Sequence, residues 1–168
     1  MMRIRYKNVV RASHNFLFNP MNSPIIRIGG TKIHQPPHTL LSVIHVDGSF
    51  HSKTLRAAVA YHMKSVSGSI NSSVIPIKAQ SSTEAEWASI YFGLKTALDN
   101  DYKDIHIRND CLSVIQAFLL HSNEPRQEYA RHFKREIISL STNGNWIGIS
   151  WIPREFNLAD QVLDRLTL

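Results

Sequence analysis

Beyond residue 40, the order of apolar and polar positions alternates between two periods. Leu40-Leu41-Ser42-Val43-Ile44-His45-Val46 is a short apolar run closed by Asp47-Gly48-Ser49, the pattern of a buried strand that stops at a turn. Across 55–62, Ala57, Val59 and Tyr61 alternate with Ala58, Ala60 and His62, which predicts a second strand. A third fits 67–77, with Asn71-Ser72-Ser73 leaving its register open. Three successive strands with short connections predict an antiparallel meander.

The period then lengthens. Trp87, Tyr91, Leu94 and Leu98 recur at helical intervals, and Ser82 or Thr83 can cap that helix, with Glu86 at capping-box spacing from Thr83. Gly93 interrupts its interior, which costs about 1 kcal/mol relative to alanine and implies close packing of helix on sheet. Ile105-His106-Ile107-Arg108 alternates as a fourth strand and runs into Asn109-Asp110, after which Leu112, Ile115, Leu119 and Leu120 return to helical spacing. Tyr129, Phe133 and Ile137 mark a further helix over 128–140. Asn143-Gly144-Asn145 turns the chain into a fifth strand over 146–152, closed by Pro153, and Asn157 caps a last helix over 158–166. The order β-β-β-α-β-α-α-β-α predicts an α/β fold in which a five-stranded mixed sheet, a meander followed by parallel strands, is flanked by helices.

Residues 1–40 read differently. Asn19-Pro20, Ser23-Pro24, Gly29-Gly30 and Pro36-Pro37 punctuate them with turns, so an irregular arm with one strand at most is expected before a compact domain over 41–168. Charge separates the two regions further. Of a net +6, all the excess lies before Asp47, the first acid, on Arg3, Arg5, Lys7, Arg11, Arg27 and Lys32. From Asp47 onward acids and cations are equal in number, so the arm points to a polyanionic partner or an import signal. With 43% hydrophobic and 19% charged residues, the composition is that of a globular domain and excludes a disordered chain. No run approaches the roughly 20 apolar residues of a membrane helix, so no membrane association is expected. The single cysteine, Cys111, can neither close an intramolecular disulfide nor supply a cysteine-based zinc site, and no secretory h-region is present. An intracellular, cytoplasmic monomer is the expectation, with mitochondrial targeting as the alternative that the acid-free N-terminus leaves open.

Four acids stand at element boundaries. Asp47 and Asp110 end strands, and Glu86 and Asp160 lie in the first turns of helices. Carboxylates so placed can converge on one edge of a mixed sheet, where they repel unless hard divalent cations such as magnesium neutralise them. Two such ions, about 3.5 to 4 Å apart, can activate a water and stabilise the leaving oxygen of a phosphodiester.

In this arrangement the chain resembles a type 1 ribonuclease H domain, particularly the bacterial, archaeal and plant-type branch of the ribonuclease H-like superfamily. The matching pieces are Val46-Asp47-Gly48-Ser49, Ser82-Thr83-Glu84-Ala85-Glu86-Trp87, Ile107-Arg108-Asn109-Asp110 and the stretch from Trp151-Ile152-Pro153-Arg154-Glu155 to Ala159-Asp160. The resemblance covers 41–168. It implies a metal-dependent endoribonuclease that hydrolyses the RNA strand of RNA/DNA hybrids with two Mg2+ ions, or Mn2+ in their place. Asp47 would bridge both ions, Glu86 and Asp110 would hold one, and Asp160 the other beside the attacking water. Ser49, Ser82, Thr83, Asn109 and Arg154 would touch the nucleic acid. Glu84 competes for the Glu86 role and Asp164 for that of Asp160. The loop Pro153 to Asn157 carries no histidine, where many type 1 enzymes have one that assists product release. The branch it resembles also lacks it.

Two other readings keep the fold. One is an RNA-binding or assembly protein with a weak or vestigial acidic site, motivated by the basic arm, and the other is an exonuclease or junction-cleaving member of the same superfamily. A zinc site built from the nine histidines finds no metal-binding spacing. Trp87, Trp146 and Trp151 sit at periodic positions that make them core residues, and Cys111 packs as a small apolar side chain.

Overall fold

The computed structural model describes residues 23–29, 41–119, 124–142 and 145–166. Most of the arm, the strand start at Leu40, the helical Leu120 and the Asn143-Gly144 half of the turn lie outside them. The strands are β1 (Ile26–Arg27), β2 (Ser42–His51), β3 (Arg56–Lys64), β4 (Ile70–Ile77), β5 (Ile105–Asn109) and β6 (Ile147–Trp151). The helices are α1 (Ser82–Asp99), α2 (Leu112–Leu119), α3 (Glu128–Leu140) and α4 (Leu158–Leu166), with a short 3-10 turn at Arg154–Phe156.

One mixed sheet results, in the order β1-β6-β5-β2-β3-β4. The meander β2-β3-β4 is antiparallel, while β2, β5 and β6 run parallel. The sheet has six strands rather than the expected five, because Ile26 and Arg27 add antiparallel to β6 opposite Ile149 and Gly148. Burial of Ile26 and Ile28 in the main core explains why that piece of the arm is recruited.

The two faces of the sheet are covered differently. Ile44, Val46, Ile105, Ile107, Ile147 and Ile149 pack in one cluster with Ile90 and Leu94 of α1, Val114 and Ile115 of α2 and Ile137 of α3. Each such side chain stabilises the fold by about 1.5 to 3 kcal/mol on burial. Gly93 lets α1 pack close on β2: an added Cβ would collide with the Val46 side chain. On the opposite face α4 lies over β2, β3 and β4, and Ala159 and Leu163 meet Ala60, with Ala58, Val74 and Val162 beside them. Small side chains there let a short helix sit low on the sheet.

The helices over 128–140 and 158–166 begin and end where the pattern predicts, and Asn157 Oδ1 accepts from Ala159 N at 3.1 Å, as expected of a cap. Several strand limits shift by one to three residues, and two boundaries differ in ways that bear on the site. β2 continues through Asp47-Gly48-Ser49 to His51, because its pairing with β3 carries on past the end of the apolar run, Asp47 opposite Ala60 and Ser49 opposite Ala58. The cap of α1 is Ser81, one residue before the expected pair: its Oγ accepts from Glu84 N at 3.1 Å, while Glu84 Oε2 accepts from Gln80 N at 2.7 Å. The reciprocal pattern resembles a capping box, built on Ser81 and Glu84 rather than Thr83 and Glu86.

Candidate active site

Asp47 stands where the sheet changes partners. Pairing of β2 with β5 ends at His45 opposite Arg108, while pairing with β3 goes on. The Val46 carbonyl, freed from the β5 ladder, accepts instead from Asn109 Nδ2 at 3.1 Å and from Asn157 Nδ2 at 3.0 Å. Both asparagines are fully buried. Two amides thus fix the backbone immediately before Asp47, and Gly48 N donates to Asp47 Oδ1 at 3.0 Å. Gly48 also admits α1, since a Cβ at that position would run into the Ala85 carbonyl group and the Glu86 nitrogen.

This contact brings Glu86 to Asp47. With Glu84 committed to the helix cap, Glu86 is the acid of that turn directed at the sheet edge, and Asn109 Nδ2 donates to its Oε2 at 3.0 Å. Asp110 follows the end of β5, its carbonyl accepting from Trp151 Nε1 at 3.0 Å. One carboxylate oxygen each from Asp47, Glu86 and Asp110 lies within 4.8 Å of the others. Asp160, in the first turn of α4, lies close enough to raise the pKa of both aspartates, and its Oδ1 accepts from Arg154 Nε at 3.1 Å and Nη2 at 2.8 Å. The structure therefore brings three of the four acids together and ties the fourth, beside them, to Arg154.

The electrostatics follow from this crowding. Burial and then the Glu86, Asp110 and Asp160 charges push the Asp47 carboxyl far above the usual range. Burial also raises Glu86, against the hydrogen bond from Asn109, and raises Asp110, against the bond from Asn157 and the charge of Arg154. Carboxylates that are costly to ionise together, offering only hard oxygen donors, fit a divalent cation of the magnesium or calcium type. A thiolate-preferring metal finds no suitable donor in the group.

The reverse transcriptase-like family model matches residues 45–163, a span that contains all four acids. The chain belongs to this family. Three solved structures similar to the chain are ribonuclease H domains, and the likeness shows a ribonuclease H-like fold. Ribonuclease H1 of the halophilic archaeon Halobacterium salinarum aligns with a TM-score of 0.64 at 23% identity, over 74% of this chain and 94% of that one. The N-terminal ribonuclease H domain of a Mycobacterium tuberculosis protein aligns at 0.62 and 18%, over 74% and 95%. A ribonuclease H1 isolated from compost aligns at 0.61 and 16%, over 77% and 100%. At these identities the likeness is one of fold. No curated protein sequence matches the chain.

The other residues singled out by the sequence differ in exposure. Ser49 shares the Asp47 face of β2 and is partly exposed, Ser82 is exposed and Thr83 partly so at the start of α1, and Arg154 is exposed. Asn109 differs from the surface contact expected of it. Its amide is buried and spent on Val46, Glu86 and the Cys111 nitrogen, which makes it a positioning residue for the acids. Asp164 is exposed on α4. Trp87 is buried in the core and Cys111 packs against it. Among the described residues, no histidine joins a metal-binding group, and no helix is long and apolar enough to cross a membrane. The second role of Asn157, holding Val46, escaped the sequence pattern: an asparagine before a helix signals a cap and says nothing of its amide nitrogen.

Proposed function

We propose that this chain is a metal-dependent endoribonuclease that hydrolyses the RNA strand of RNA/DNA hybrids, acting as a monomer and leaving a 3′-hydroxyl and a 5′-phosphate. The observation that carries the reading is the convergence of Asp47, Glu86 and Asp110 from three separate elements to within 4.8 Å, with Asp160 adjacent. Two magnesium or manganese ions bound there would supply an activated water and stabilise the leaving oxygen. Asp47, at the centre, would touch both ions; Glu86 and Asp110 would hold one and Asp160 the other. Asn109 and Asn157 keep these carboxylates in register by fixing the Val46 carbonyl, and Asn109 aims Glu86 as well. Ser49, Ser82, Thr83 and Arg154 are at least partly exposed, and their hydroxyls would read a 2′-hydroxyl and the guanidinium would hold a phosphate.

The test is cleavage of a labelled RNA/DNA hybrid in Mg2+ or Mn2+, beside RNA duplex, DNA duplex and an Asp110→Asn control. Metal-dependent cutting confined to the hybrid and lost in the control is expected. Tight binding of hybrid or RNA with no cutting in either metal would replace the enzyme with a nucleic-acid adaptor, and cutting of DNA duplex would move it to another branch of the superfamily.

A further inference from the structure

The sheet face that carries Asp47 also carries a transverse row of polar side chains, one step below the acids. Strand register places Ser150 beside Arg108, Arg108 beside His45, His45 beside His62 and His62 beside Ser72. Asp47 on β2 and Asp110 just past the end of β5 follow two residues later, so at about 3.3 Å per residue the row lies roughly 6.6 Å from them along the strands.

Most of the row is satisfied from within. His62 Nδ1 pairs with Ser72 Oγ at 2.8 Å, His45 Nδ1 accepts from Leu158 N at 3.2 Å, and Ser150 Oγ pairs with His106 Nε2 at 2.8 Å. Burial holds His45 down to about 4 and His106 to about 3, so both are neutral at physiological pH. Arg108 is the exception. It is partly buried, and among the described residues no carboxylate pairs with it and no acceptor takes its donors. The acids of the chain all stand at or after Asp47, so residues 1–40 bring no carboxylate to it either. A guanidinium taken partly out of water with five donors and no anion is costly, and its planar fork matches a phosphate bidentately. The neighbour on β6 is the short Ser150, which leaves the guanidinium unscreened by a longer side chain from that strand.

We infer that Arg108 binds a backbone phosphate of the nucleic-acid strand, adjacent to the phosphodiester that the carboxylates address, making a second anion subsite on the same sheet face. The inference rests on the nuclease reading above, and its experiment separates the two. Hybrid binding by the full chain is measured in an Asp110→Asn background with Mg2+ over a range of salt concentrations. Arg108→Met, which keeps the aliphatic stem, should weaken binding about tenfold. It should also flatten the slope of log affinity against log salt by about 0.7 to 0.9, the signature of one lost phosphate contact. Arg108→Lys should keep the slope. In the chain with Arg108 intact, hybrid should protect Arg108 from phenylglyoxal, a readout that survives if the methionine variant does not fold.

An unchanged slope in a folded Arg108→Met chain, or no protection of Arg108, overturns the subsite while leaving the nuclease reading standing. A background chain that binds no nucleic acid at all overturns the nuclease reading itself. Inorganic phosphate that raises the melting temperature through Arg108, with the salt slope unmoved, would mean a free-anion site and overturn the strand assignment.

Discussion

The two faces of the sheet use the same strands for opposite ends. On the side of α1, α2 and α3, the strands present Ile44, Val46, Ile105, Ile107, Ile147 and Ile149, all closed to solvent. On the side of α4, the alternate residues of the same strands are Asp47, His45, His106, Arg108 and Ser150, several of them equally buried. One face stores stability in apolar area. The other holds charges that are expensive to bury, and the first face makes that tolerable. The division teaches that the acidic edge depends on the core through position: Asn109 links the two by bonding both Val46 and Glu86, and Asn157 by bonding Val46 and Asp110.

The contrast breaks most sharply at Asp47. Asp47→Asn should lower hybrid hydrolysis about a thousandfold or more, the loss typical of a group that acts on the transition state. Its metal-free melting temperature should hold or rise, because a costly buried carboxylate is gone. A drop of both together would show that the acid holds the fold and refute the division. The reverse substitution is Ile107→Ala, which should cost about 2 to 5 kcal/mol in urea unfolding. Metal affinity per folded molecule should change little.

Metal and pH sharpen the comparison at intermediate size. The pKa values of Asp47, Glu86 and Asp110 are raised on folding. Their contribution is therefore fully present below about pH 4 and is lost as pH rises through the raised values. His45 and His106 are lowered, so theirs is present above about pH 6.5 and lost as pH falls toward about 4 and about 3. The metal-free chain should accordingly lose stability toward alkaline pH from the acidic edge and toward acid pH from the histidines. Mg2+ at a hundredfold its dissociation constant should restore about 2.7 kcal/mol, and more at alkaline than at acid pH. Melting curves with and without the ion, at several pH values, check the sign. The smallest effect is expected from Ser81→Ala, about 1 kcal/mol of stability from a lost cap, with turnover by folded enzyme intact. A large fall in turnover would mean that the cap and Glu86 are not separable.

Much of the fold was legible because its signals are local. The spans 128–140 and 158–166 carry their own periodicity and flanking polar residues, and Asn157 caps as its type suggests. The acids were legible through four short motifs in the right order. What was not legible depends on partners distant in sequence. Asp47-Gly48-Ser49 has the composition of a turn, yet pairing with Ala60 to Ala58 keeps it extended. Ser81, Ser82 and Thr83 are equivalent as caps by residue type, and the structure uses the first. Alternation in Ile105-His106-Ile107-Arg108 reveals two faces, but the row from Ser150 to Ser72 exists only in the assembled register.

β1 has a consequence for how the chain matures. Ile26 and Arg27 leave the ribosome long before Ile149 and Gly148, the residues against which they close. During synthesis that edge of the sheet has no strand to join, and loop closure over so long a span is slow. One border of the sheet is thus closed by a two-residue strand of long sequence separation, too short to template another molecule.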